Sequence, residues 1–122
     1  MKIKEIYELN EGLKAIVDKE LPIKMAFLIQ KNMSMMEDEI KNAEVIRQKI
    51  IKKYEDEEAT KNLKEQGKIQ LKKDKLEDFN KEFNELMEQE VDIKLKKIKI
   101  DDLDGITMKP VDLNRLRYII ED

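Results

Sequence analysis

From Ile6 the apolar residues fall three or four apart, at Leu9, Leu13, Ile16 and Val17, and so share one face of a helix. Gly12 lies inside that helix and lowers its propensity by roughly 1 kcal/mol relative to Ala. Residues 1–4 read as a short strand ahead of it. A residue before proline is pushed out of the α region, so Leu21 closes this N-terminal helical stretch, 1–21. Pro22 suits the first turn of a new helix, where its missing N–H costs nothing. The second helix, 22–55, meets no breaker, and about 33 residues at 1.5 Å each span roughly 50 Å. Its register is Ile29, Met33, Met36, Ile40, Ala43, Arg47, Ile50 and Tyr54, alternating steps of four and three. That spacing is the seam of a coiled coil or of a long helix pair. Leu28, Ile46 and Ile51 widen the stripe, which favours more than one neighbour.

Residues 56–67 form a charged loop or frayed helix end, closed by Gly67. Ile69 and Leu71 then alternate as a brief edge strand. Asp74 and Glu77 have capping-box spacing ahead of a helix at about 75–89, with Leu76, Phe79, Phe83, Leu86 and Met87 on its apolar face. Val91, Ile93 and Leu95 alternate as a strand. The alternation slips at Lys96-Lys97 and resumes at Ile98 and Ile100, which predicts a bulge or kink. Residues 101–105 make an acidic turn, and Pro110 opens a last helix with Leu113, Leu116, Ile119 and Ile120 inward. The expected fold is α-dominated α+β, a single domain over 1–122. Its long central helix packs with shorter helices and a small β-sheet, and 68–122 forms the strand-helix-strand-helix part. A seam this long exceeds what two short helices cover, so self-association is expected through Ile29, Met33, Met36, Ile40, Ala43, Ile50 and Tyr54.

Composition narrows the chemistry. The chain has no Cys and no His, and Ser34 is its one serine. This excludes a Ser-His-Asp triad, a thiol nucleophile and an ordinary zinc site. No catalytic residue, metal site or cofactor is assigned. Mean hydropathy is −0.71 and 43% of residues are charged, yet the periodicity argues for order. Absent Cys and the lack of a long apolar run or signal-peptide segment point to a cytoplasmic protein without a membrane span. The net charge of −3 disfavours duplex nucleic acid as partner. The acidic turn fails as an EF-hand, because aligning Gly105 with the loop glycine puts Ile100 and Val111 where carboxylates belong.

Cations are more patterned. Residues 61–75 hold six Lys against Glu65 and Asp74, and Lys94, Lys96, Lys97 and Lys99 oppose only Asp92 within 91–99. Side by side, two such strands would present one positive face to an anionic ligand. Lysine on exposed strands equally serves to block edge pairing. Only three arginines occur. Arg47 interrupts the seam, where a register-fixing ion pair is the plainer reading. The sharper one joins Arg47 with Arg115 or Arg117 of another chain in a pocket for phosphate or carboxylate.

Several stretches resemble a loose group of small uncharacterised phage and prophage proteins of low-GC Gram-positive bacteria. They are Leu21-Pro22, Ile50-Ile51-Lys52-Lys53-Tyr54, the helix at 79–87, Glu90-Val91-Asp92-Ile93, and Asp112-Leu113 with Leu116 and Ile119-Ile120. A Gly often follows the Tyr in that group, whereas here the acidic run 55–58 continues. The resemblance lies in core and cap positions and carries over no functional residue. With the missing His and Cys and the long seam, the expected function is that of a non-enzymatic, oligomeric phage or prophage accessory protein in the host cytoplasm. Such a protein would act by binding a host or phage protein, or by sequestering a small anionic signal, and so could counter host defence. A virion component or assembly chaperone is the alternative, and a carboxylate- and metal-dependent enzyme a second.

Overall fold

The computed structural model describes residues 1–61 and 70–121. Its elements are α1 (Ile3–Lys14), α2 (Ile23–Tyr54), α3 (Glu57–Lys61), α4 (Leu76–Met87), β1 (Ile98–Lys99), α5 (Pro110–Arg115) and β2 (Ile120–Glu121). The protein is α-dominated α+β, as its periodicities predict. Where one domain was expected, the chain forms two compact units. One joins Met1–Ile40 to Glu90–Asp122, and the other is Lys41–Gln89. α2 is about 48 Å long at 1.5 Å per residue, more than one small core covers. It gives its first half to one unit and its second half to the other.

In the first unit α1 buries Ile6, Leu9 and Leu13, and the turn after it buries Ile16. Met25, Ile29 and Met36 of α2 join them, together with Ile98, Leu103, Leu116 and Ile119. The helical stripe expected to stand open for a second chain is thus largely filled by this one. Ile29 and Met36 are buried here, and Met33 and Ile40 pack against the same core. Inside this stripe sits Asn32, fully buried. Its Oδ1 accepts the Lys96 N–H at 2.7 Å and its Nδ2 donates to the Lys96 carbonyl at 3.0 Å. A side-chain amide thereby occupies the place of a neighbouring strand, at the very residue where the alternation slips.

This changes the expected strands. Residues 91–97 are extended, with Val91, Ile93 and Leu95 turned inward, yet they belong to no sheet. Their backbone is held at one end by Met1, whose carbonyl accepts the Val91 N–H at 2.7 Å and whose ammonium donates to the Val91 carbonyl. Asn32 holds the other end. Ile3 already begins α1, so the expected N-terminal strand shrinks to a bridge between Lys2 and Glu90. Beyond the slip, β1 pairs in parallel with β2, Ile98 opposite Ile120 and Lys99 opposite Glu121. Ile98 points inward, but Ile100 is exposed and starts a 3-10 turn, Ile100–Leu103. Gly105 closes that turn at φ 82°, a conformation that favours glycine. α5 stops at Arg115, short of the expected helix: Leu116 and Ile119 are buried beyond its end, and Ile120 enters β2.

α1 and α5 meet at Gly12. A Cβ there would lie 2.8 Å from the Arg115 Cβ and 3.1 Å from Leu116 Cδ2, so the glycine permits a close helix approach rather than merely weakening α1.

In the second unit, Ala43, Ile50 and Leu86 are buried. Asp56 caps α3 through the Ala59 N–H, so the start of the expected charged loop is helical. Buried Thr60 exchanges hydrogen bonds with the Gln70 backbone, and Leu71 bridges Glu55. Gly67 and Ile69 of the expected edge strand, with Lys64 and Lys68 of the basic run, lie outside the described residues. The expected capping box does not form: Asp74 lies in a 3-10 turn, and Lys75 stands at the N-cap of α4 without a side-chain bond.

Two substitutions test this packing. Asn32→Leu leaves both polar groups of Lys96 unpaired and should cost about 2–4 kcal/mol in urea unfolding. Gly12→Ala, favourable for an isolated helix, should instead destabilise by about 1–3 kcal/mol through overpacking against Arg115, measured the same way.

Candidate functional site

The second unit carries a groove between α2 and α4 that encloses about 500 Å³. α2 supplies Ile46, Lys49, Ile50 and Lys53, and the α4 region supplies Glu82, Glu85, Leu86 and Gln89. Both sets have the spacing i, i+3, i+4, i+7, which puts each on one side of a helix. Ile50 and Leu86 form a buried floor, and Ile46 is half-exposed above it at 43%. One wall is cationic and the other anionic. Lys53 Nζ and Glu82 Oε1 join the walls at 2.7 Å. Each shifts the other: the hydrogen bond raises the Lys53 pKa and lowers that of Glu82. Beside them Tyr54 meets Phe79 edge-on at 6.1 Å, and Phe79 stacks on Phe83 at 5.8 Å. The expected interface residue Tyr54 is therefore half-buried in an aromatic cluster of its own chain.

The arginines expected to line an anion pocket each face a carboxylate of this chain. Arg47 is paired one turn back with Glu44 at 3.3 Å, and Arg115 likewise with Asp112 at 3.2 Å. Arg117 holds Glu8 through both guanidinium NH groups, at 2.7 and 3.2 Å. The Tyr118 hydroxyl donates to the same carboxylate at 2.6 Å, and the Arg117 guanidinium lies over the Tyr118 ring at 4.4 Å. This fork ties the C-terminal segment to α1. Of the candidate lysines, Lys97 donates to the Tyr118 carbonyl, while Lys94 and Lys96 keep exposed side chains.

Composition alone did not flag Glu8 or Asn32. Asn32 was findable only as the polar member of the rail Met25, Ile29, Asn32, Met36. Among the described residues, no three acidic side chains gather closely enough to hold a metal ion. Among the same residues, no helix is long and apolar enough to cross a membrane. No protein-family model, curated protein or solved structure matches the chain.

The fork sets a pH dependence. Arg117, and then Tyr118, lower the Glu8 pKa, so its stabilisation is present above the usual carboxylate range and is lost on acidification. Burial, and then the Glu8 carboxylate, push Tyr118 up to about 12 from an ordinary 10.0. The folded state therefore holds the phenol proton longer, and stability should fall from pH 10 towards 12. Tyr118→Phe should cost about 1 kcal/mol at neutral pH and flatten that alkaline fall, read from urea unfolding across the pH range.

Proposed function

We propose that this chain is a non-enzymatic binding protein and that the α2–α4 groove is its docking surface. The observation carrying this reading is the groove itself: an apolar floor of Ile50 and Leu86 between a lysine wall and a glutamate wall, with exposed Ile46 beside it. An amphipathic helix lying in such a groove buries apolar anchors against the floor, and the charged walls fix its direction. Composition favours binding over catalysis, because His and Cys are absent and Ser34 is the one serine. The paired state of all three arginines favours a protein partner over a small anion, since no guanidinium is left without a carboxylate. The resemblance to phage and prophage proteins supplies the setting, an accessory protein that blocks a target by occupying it.

A photo-crosslinking residue placed at Ile46, in cells producing the full chain, tests the docking surface. A covalent protein adduct is expected from position 46. None is expected from exposed Gln48, which lies two residues on, roughly 200° around the helix. Absence of an adduct at 46, or equal yields at both positions, would sink the reading.

A further inference from the structure

We infer that the occupant of the α2–α4 groove is a second copy of this chain, seated by a two-fold axis that runs along the groove. The inference rests on the docking reading above and names its partner.

The argument comes from the charges on the walls. Lys53 and Glu82 satisfy each other across the groove at 2.7 Å. Lys49 and Glu85, on the same two walls, are exposed, and neither makes an ion pair among the described residues. They stand on opposite sides of one apolar strip. A two-fold axis along the groove lays α2 of each copy over α4 of the other. Lys49 of one copy then meets Glu85 of the other, and the contact occurs twice. An axis across the groove would instead set lysine against lysine and glutamate against glutamate. The surface is thus self-complementary in one orientation, the requirement of an isologous dimer. A foreign helix would have to bring an acid and a base in matching order, whereas this chain already carries both. The affinity comes from covering half-exposed Ile46 and its exposed neighbour Val45, since surface ion pairs choose orientation more than they supply binding energy.

Charge reversal tests this directly on the full chain. Sedimentation equilibrium should show a wild-type dimer at micromolar concentration. Lys49→Glu and Glu85→Lys should each weaken self-association at least tenfold, because each sets like charges together twice. An equimolar mixture of the two variants restores both opposite-charge contacts and should dimerise as tightly as wild type. Circular dichroism melts establish that both variants fold. A monomeric wild type at a hundred micromolar, variants that dimerise as wild type does, or a mixture no tighter than its components would each overturn the inference. The crosslink at position 46 separates the two levels. An adduct of twice the chain mass supports the second copy. An adduct to a different protein overturns the second copy but leaves the groove a docking surface. Absence of any adduct removes both.

Discussion

A single buried amide organises the larger unit. Asn32 stands in an apolar rail of α2 and spends both halves of its side chain on one peptide, that of Lys96. A buried polar group is tolerated only when its hydrogen bonds are met, and here it meets two backbone groups that have no strand beside them. The consequence reaches along the chain. With Lys96 pinned, Lys96 and Lys97 both face outward and Ile98 turns into the core. Ile98 can then pair with Ile120, which holds the segment after α5 beside β1. The Gly12 contact and the Glu8–Arg117 fork complete the same arrangement from the α1 side.

The helices were legible because each repeats an apolar residue every three or four positions and the chain offers few breakers. Pro22 and the rails through Ile29, Ile50 and Leu86 placed α2 and α4 to within a few residues, whereas α1 ends at Lys14, well short of the Leu21 expected from Pro22. The strands were not legible at the same level. Alternation at Val91, Ile93 and Leu95 reports which side faces the core, and all three pack against it. It does not report what satisfies the backbone, and here the partners are Met1 and a side chain rather than a ladder. Most of the rail's residues fill the chain's own interior. The groove lies on the flank of the stripe, at Ile46. Lys49 and Glu85 carry no mark in the sequence, because one lysine among many and one glutamate among many become distinctive only when two helices set them across an apolar strip.

The scarce arginines admit two readings, a register-fixing ion pair and an anion pocket, and each arginine meets a carboxylate of its own chain. A guanidinium can grip a carboxylate through two parallel hydrogen bonds, which suits it equally to a ligand and to a distant part of its own chain. Arg117 does the second, binding Glu8 across most of the sequence and shielding Tyr118, which adds a third bond to the same carboxylate. Such an arrangement fixes position well because a two-point guanidinium grip and a third donor converge on one carboxylate.

The first unit draws on Met1–Ile40 and on residues made only after all of Lys41–Gln89. A ribosome therefore releases α1 and the first half of α2 with their shared core incomplete, since Ile98, Leu116 and Ile119 are made only after Gln89. Contacts of such long sequence separation form slowly, since a large loop must close before any of them is rewarded. The inserted stretch has no such wait, because everything its own interior needs is contiguous. Synthesis of this chain thus leaves a nascent apolar helix waiting while the middle of the molecule can already take shape, a window in which a chaperone would find α1 and not α4.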